Sequence, residues 1–306
     1  MKAFLFFAIG TLFADGQPVN TDWNTISARA DQRQIALDFA GAERLRREAL
    51  RLAESQMDKD DPRLASLLVK LAVTLNAEDK AAGAERVSHR AYSIAWNAND
   101  KRYAGLALSS LGVALIKQGH ESRAEPVLRR GIVVIDEAEG KGSIDAAVLG
   151  NSLAAALTNQ RQFSKAEKEL AWVLPVFERT YGADDPQLVL PLTNMSTILI
   201  SERRANDAEP YLHRALNIAR KAHPNSMKLT ALEENEAALE AVRGNYTAAA
   251  RLYQQVLDEE QKLLGPRSPQ MARTLTGYAY VMGQVHQDQV ARQLSHRAET
   301  MSEMLP

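Results

Sequence analysis

The sequence predicts an all-α protein, built as an α-solenoid of about seven antiparallel helix pairs. Seven variants of one alanine-centred phrase recur along the 306-residue chain at intervals of 40–42 residues. A second apolar pattern precedes these phrases at constant offsets. The composition agrees, because aromatic residues make up only 6% of the chain while alanine is abundant. Such a composition suits closely packed helices better than a β-sheet, which draws on β-branched and aromatic side chains.

The first pattern is an alanine followed seven positions later by a second small or apolar residue, as in FSKAEKELAWVL and ANDAEPYLHRAL. Residues seven apart lie on one face of a helix, so each phrase predicts the second helix of a pair, helix B. A near-constant interval of this kind indicates a repeat architecture. The seven alanines, called the anchors below, are Ala42, Ala84, Ala124, Ala166, Ala208, Ala249 and Ala291.

The second pattern is a large, a small and a large residue at thirteen, twelve and nine positions before the anchor. Leu153, Ala154 and Leu157 form one such set. Offsets of one and four place these residues on a single helical face. They therefore predict a first helix in each unit, helix A. Gly119 and Gly244 lie between the two patterns and favour a tight turn from helix A to helix B.

The boundaries between units are predicted from prolines and short polar stretches. A proline lies twenty residues after three of the anchors and suits the first turn of the next helix A, with aspartates before it available as caps. The fifth unit breaks earlier, at His223–Asn225. The three prolines are Pro62, Pro186 and Pro269.

Two units depart from the pattern. The first has Arg29 and Arg33 where helix A should be apolar, which suggests an irregular N-terminal cap. The sixth has Glu236 and Glu240 at the equivalent places. A one-residue shift of its helix A would restore an apolar face there.

Together these patterns resemble the tetratricopeptide repeat, lengthened from about 34 to about 42 residues. The phrase YGADDP at Tyr181–Pro186 resembles the kinesin light chain subtype of that repeat. The resemblance runs from about Trp23 to Leu305. It implies a right-handed superhelix whose concave side is lined by the A helices. It also implies a scaffold that binds a protein or peptide and catalyses no reaction.

The resemblance further implies which residues face the concave groove, at fifteen, fourteen, eleven, eight and seven positions before each anchor. The central units there present amides and hydroxyls, which can donate to and accept from the backbone of an extended peptide. Asparagines of helix A serve this purpose in kinesin light chains. Alternatively, the same side chains solvate an exposed face or bond to neighbouring helices. The candidate groove residues are Lys117, Asn151, Asn159, Thr193, Asn194, Thr197, Asn235 and Tyr280.

The N-terminus predicts export. Residues 1–14 contain Lys2 and an apolar run from Ala3 to Phe13, as in a signal peptide. Residues 15–22 would then be a short linker, and residues 23–306 the repeat domain. The protein would be periplasmic or extracellular. The alternative is a buried first helix in a cytoplasmic protein.

Other functional classes are disfavoured. The net charge of −1 favours neither nucleic acid nor an anionic membrane. The sequence predicts no catalytic, cofactor or metal site: cysteine is absent, and His89, His213 and His296 fall in non-adjacent units on an expected solvent-facing side of helix B. GKGS at Gly140–Ser143 is interpreted as a turn between units.

Two alternatives to groove binding stay open, and so does self-association. One is a structural component of a larger exported assembly that binds through its convex face or its edges. The other is an enzyme with a site in the groove.

Overall fold

The computed structural model describes residues 22–222, 227–265, 268 and 271–303. The predicted signal peptide, most of the linker, the break at His223–Asn225 and Pro269 lie outside these residues. The predictions made for those segments therefore stay predictions.

The described residues form fourteen α-helices, and the predicted all-α solenoid of seven helix pairs is confirmed. Successive helices contact one another along the chain, and consecutive A helices from α3 onward also contact each other directly. The A helices are α1 (Trp23–Ile35), α3 (Arg63–Ala77), α5 (Lys101–Lys117), α7 (Ile144–Asn159), α9 (Val189–Ser201), α11 (Met227–Val242) and α13 (Ala272–Gln284). The B helices are α2 (Phe39–Gln56), α4 (Ala81–Asn97), α6 (Glu121–Glu139), α8 (Phe163–Tyr181), α10 (Ala205–Ala222), α12 (Tyr246–Leu264) and α14 (Asp288–Ser302).

The turn from helix A to helix B has one conformation that recurs along the array. One residue of the turn adopts a positive φ, for example Gly119 at 71° and Arg161 at 59°. The next amide then donates to a carbonyl five residues back, as His120 N does to Leu115 O at 2.9 Å. This is the Schellman ending of a helix, which satisfies carbonyls that the helix leaves unpaired. The predicted tight turns are therefore confirmed where the structure describes them.

The turns between units use different devices. Pro186 opens a 3₁₀ turn, Pro186–Leu188, that leads into α9, and Asp185 accepts from Gln187 N at 2.8 Å. Pro62 directly precedes α3. The Gly140–Ser143 segment is a turn between α6 and α7, as predicted, and Ser143 Oγ caps α7 by accepting from Ala146 N at 3.2 Å.

The anchor alanines lie in the packed interior of the array. The first six, Ala42 to Ala249, are fully buried. Gly131, the residue seven after the anchor Ala124, shows how tight the packing is. A Cβ atom added to it would lie 2.2 Å from Leu149 Cδ2 and 3.2 Å from Leu108 Cβ.

The first unit is a regular helix pair, so the predicted irregular cap is not observed. Ile26 and Ala30 supply the buried face of α1, while Arg29 and Arg33 are exposed. Arg33 pairs with Asp38 at 3.0 Å across the turn into α2.

The sixth unit keeps the register of its neighbours, so the predicted one-residue shift is wrong. Ala237, Leu239 and Ala241 are buried at the same offsets from the anchor as Ser196, Ile198 and Ile200 in α9. The two glutamates stay at core-facing offsets because each finds a polar partner. Glu236 pairs with Arg220 at 3.7 Å, and Glu240 accepts from Arg243 and Asn245.

The largest cluster of the apolar core extends from α2 to α11, and a small separate cluster lies among α3, α4 and α5. The large cluster of buried side chains runs from Ala53 to Leu239. Beyond α11, smaller clusters join α11 to α12 and α13, and α12 to α13 and α14. Helix α11 contributes to both sides of this division.

A buried carboxyl joins α12 to α13. Glu260 is 5% exposed; its Oε1 accepts from Thr274 Oγ1 at 3.1 Å, and its Oε2 has no hydrogen-bond partner among the described residues. Burial raises the pKa of Glu260 to about 7.

We expect a glycine-to-alanine change at the closest helix contact to destabilise the fold. Gly131→Ala should lower the free energy of unfolding by about 1–3 kcal/mol, because Leu149 must move to admit the methyl group. Chemical denaturation followed by circular dichroism measures this. Gly283→Ala is the control, since a Cβ there meets nothing within 4 Å and alanine is the better helix former. Equal stability of the two variants would contradict the assignment of Gly131 to a close contact.

We also expect stability to fall as the pH rises through the titration of Glu260. Below the pKa of the unfolded chain both states are protonated, and between there and pH 7 only the unfolded state ionises. The free energy of unfolding therefore decreases across this window and stays lower above it. Glu260→Gln should remove that decrease and raise stability at pH 8 by on the order of 2 kcal/mol. Exposed Glu48→Gln is the matched control, and a pH profile identical to wild type in E260Q would refute the assignment.

Candidate functional site

A small cavity opens on the face formed by four consecutive A helices. Its volume is about 220 Å³, and its lining comes only from α7, α9, α11 and α13. Consecutive A helices therefore share one continuous surface, which is called the groove below. The lining residues are Ala155, Thr158, Asn159, Thr193, Asn194, Thr197, Ala231, Asn235 and Arg273.

Most of the predicted groove residues meet at this cavity. Asn159, Thr193, Asn194, Thr197 and Asn235 line it. Together with Asn151 they are called the polar ladder below. They belong to three successive units, so residues that are distant in the sequence lie together in the structure.

Three predicted residues do not line the cavity. Asn151 is only 6% exposed and lies beneath Asn194. Lys117 is in α5, outside the cavity, and is ion-paired with Asp79. Tyr280 lies in α13 and is half exposed.

Hydrogen bonds tie the polar ladder to neighbouring helices. Asn194 Nδ2 donates to Asn151 Oδ1 at 2.9 Å, and Asn235 Nδ2 donates to Thr197 Oγ1 at 3.1 Å. Asn159 Nδ2 donates to Glu121 Oε1 at 3.1 Å. Each amide thus spends one donor on holding two helices in register. An amide has two donors and two acceptor sites, so Asn194 and Asn235 each keep a carbonyl oxygen and a second N–H for a ligand.

Thr193 of the ladder and Thr158, which also lines the cavity, are oriented by their own helices. Thr193 Oγ1 donates to Val189 O at 2.6 Å, and Thr158 Oγ1 donates to Ala154 O at 2.8 Å. A hydroxyl that donates in this way keeps its acceptor lone pairs. These side chains can therefore accept a hydrogen bond from a ligand N–H.

The cations of this face are paired with carboxylates. Arg273 Nε donates to both carboxylate oxygens of Glu234, at 2.8 and 2.9 Å. Lys70 pairs with Asp31 at 2.6 Å, in the second unit. Pairing leaves the groove close to neutral.

Sequence reasoning missed Arg273 and the apolar residues beside the ladder. These residues lie eighteen positions before the anchor, an offset outside the five that were considered. Val148 and Leu190 occupy this position in α7 and α9 and are exposed. Val148 and Leu190 could have been identified from the sequence, because they lie three, four or seven residues from ladder positions and therefore share the same helical face.

A second concavity lies on the B-helix side of the array. Its volume is about 510 Å³. Ile132, Val133 and Trp172 form its apolar part, and Trp172 Nε1 donates to Glu169 at 2.9 Å. In the alternative to groove binding, in which a partner binds through the convex face, this is the surface that would bind it.

The histidines are distributed as the sequence predicted. His89, His213 and His296 are exposed on separate B helices. Within the described ranges, no group of three or more histidine, aspartate or glutamate side chains is arranged to hold a metal ion. In the same part of the chain, no helix has the length and apolarity needed to cross a bilayer.

Comparison with known proteins supports the repeat assignment. Residues 147–187 match the family model of the tetratricopeptide repeat. The chain is 28% identical over 111 residues to mitochondrial tetratricopeptide repeat protein 19 of Rattus norvegicus, and 29% identical over 107 residues to that of Mus musculus. These matches span 36% and 35% of this chain, and only 30% and 29% of the relatives.

Solved structures share the fold at low identity. NprR in complex with its cognate peptide NprX matches with a TM-score of 0.70 at 14% identity, over 94% of this chain and 81% of that one. The apo form of RapI matches with a TM-score of 0.66 at 11% identity, over 92% and 97%. Tetratricopeptide-like repeats of a kinesin light chain from Podosopora anserina match with a TM-score of 0.50 at 16% identity, over 64% and 93%. The chain therefore contains a tetratricopeptide repeat at residues 147–187, within an array that has the fold of tetratricopeptide-like helical-repeat proteins.

Proposed function

We propose that this protein is a non-enzymatic scaffold that binds an extended segment of a protein or peptide partner in the groove of its A helices. The observation that carries the proposal is the convergence of Asn159, Thr193, Asn194, Thr197 and Asn235 on one cavity. These side chains keep free donors and acceptors, which a peptide backbone can satisfy.

The chemistry of the lining argues for binding over catalysis. The cavity is surrounded by amides, threonines, alanines and one arginine that is already paired with Glu234. General acid–base catalysis needs a titratable group within reach of the substrate, and this set supplies no histidine or unpaired carboxylate. Structural neighbours add support by analogy, since NprR has been solved with its cognate peptide NprX and a Rap protein with the Competence and Sporulation Factor.

The repeat length supports a closer assignment to the long, kinesin light chain-like variety. The anchors recur every 40–42 residues, from Ala42 to Ala291. Kinesin light chain repeats are among the similar folds. We propose that Asn194 and Asn235 hold the peptide backbone here, as helix A asparagines do in that variety.

The second candidate is an assembly component that binds through the B-helix concavity. The observation in its favour is the larger volume there, about 510 Å³, beside the exposed Val133.

Loss of the ladder amides should weaken partner binding. The double variant Asn194→Ala, Asn235→Ala removes two hydrogen-bonding side chains from the cavity wall. Each bond contributes about 0.5–1.5 kcal/mol, so affinity should fall roughly tenfold. The measurement is affinity capture from an extract of the source cells, followed by titration of the captured partner.

The matched control is Asn206→Ala, an exposed asparagine on the B helix α10 that does not line the cavity. Undiminished binding in the double variant, together with loss in Val133→Ser or Trp172→Ala, would reject the groove and favour the B-helix concavity.

We further propose that the protein is exported and that residues 1–14 are removed as a signal peptide. N-terminal sequencing of the protein recovered from outside the cytoplasm should then begin close after Ala14. A mature chain that starts with Met1 would contradict export by this route.

A further inference from the structure

Leu106, Val148 and Leu190 occupy equivalent positions in three successive A helices, α5, α7 and α9. They are separated by 42 residues each and are called the apolar row below. Val148 is 41% exposed and Leu190 60% exposed, whereas Leu106 is partly buried against the apolar core. Exposed large apolar side chains that repeat on one surface indicate a binding surface more strongly than scattered ones do.

The apolar row runs beside the polar ladder. Leu190 precedes Asn194 by four residues and Thr197 by seven, and Val148 precedes Asn151 by three and Ala155 by seven. These spacings place row and ladder on the same face of their helices. A ligand that follows the groove therefore meets an apolar strip and a hydrogen-bonding strip side by side.

The spacing of the row selects one backbone conformation. Packed helices lie about 8–10 Å apart, so successive row members are separated by roughly that distance. A polyproline II helix advances about 3.1 Å per residue with three residues per turn, which brings every third side chain to the same face after about 9.3 Å. A β-strand alternates its faces with period two and would turn every third side chain away. The row therefore matches a ligand in the polyproline II conformation.

The ladder suits the same conformation. A polyproline II segment has no internal hydrogen bonds, so its N–H and C=O groups are free. The carbonyl oxygens and remaining N–H groups of Asn194 and Asn235 can pair with them. The groove should also disfavour charged ligands, because its Arg273 is already neutralised by Glu234.

We propose that the groove selects an uncharged peptide segment in the polyproline II conformation, with an apolar side chain at every third position resting on Val148 and Leu190. This inference rests on the proposed function, since it names the class of peptide that the same groove takes. The row ends after α9, where Ala231 and then Arg273 replace the large apolar residues. Two or three apolar side chains of the ligand are therefore recognised.

The test is selection from a displayed library of random peptides about twelve residues long, which is four turns of polyproline II helix. The full chain is the bait. We expect enriched sequences to lack charge and to carry valine, leucine, isoleucine, methionine or proline at every third position. Enrichment of acidic or basic peptides, or of apolar residues at every second position, would overturn the proposal.

The best enriched peptide is then made with a fluorescent label and titrated against variants. Leu190→Ser and Val148→Ser should each weaken binding about tenfold, because each removes an apolar contact. Leu263→Ser is the matched control, since Leu263 is 48% exposed, lies on the B helix α12 and lines neither of the two cavities. Affinity should change little from about 50 to about 500 mM salt, because no ion pair forms.

The pattern of losses separates this inference from the proposed function. If N194A/N235A weakens binding while L190S and V148S do not, the groove binds peptides but the apolar row plays no part. If none of these variants weakens binding, or if the library yields no enriched peptide, both proposals fail. If sedimentation shows a dimer that L190S dissociates, a second copy of the chain covers the row and the peptide assignment is overturned.

Discussion

Close approach of helices through alanine and glycine is the constraint on which the other features depend. Ala84, Ala166 and Ala208 are fully buried between helices, and a methyl group at Gly131 could be admitted only if Leu149 moved. Small residues at these points allow large ones such as Leu128 and Leu153 to fill the remaining gaps. Because every unit repeats this arrangement, each helix pair stacks on the next in the same way, and no unit completes its core alone.

The geometry of the groove follows from this stacking. Asn194 reaches Asn151, and Asn235 reaches Thr197, only because consecutive A helices lie side by side. The hydrogen bonds of the ladder amides therefore depend on the spacing between helices and also stabilise it. A groove whose wall is fixed by packing has little conformational freedom to lose when a ligand binds, which favours affinity.

Much of this could be predicted from the sequence, because it depends on periodicity. The anchors predict the helix pairs, and Gly119 and Gly244 mark turns that the structure confirms. Helical spacing also identifies which residues share a face, so most of the ladder was found. The structure adds how far neighbouring units cover each residue of that face. Asn151 is covered and Leu190 is not, a difference that no spacing along one helix predicts.

Polar residues at core-facing offsets were the other failure of pattern reasoning. Glu236 and Glu240 suggested a shifted helix, yet α11 keeps its register because Arg220 and Arg243 lie within reach. Arg220 belongs to α10, so its contact with Glu236 is visible only once the helices are packed, whereas Arg243 follows Glu240 by three residues. Glu260 is a similar case, buried against α13 where its environment and not its position in the repeat determines its pKa.

The division of the core at α11 has a consequence for how the protein opens. Since the large cluster ends at Leu239 and smaller clusters hold α12 to α14, we expect the last helices to separate from the array at a lower free energy than the rest. Their amides would then exchange hydrogen with solvent fastest. The cavity wall includes Arg273 from α13 as well as residues of α7 and α9, so it straddles this division. A ligand bound in the cavity would contact both parts of the array. Its binding should therefore slow hydrogen exchange of the amides in the C-terminal helices, far from the apolar row.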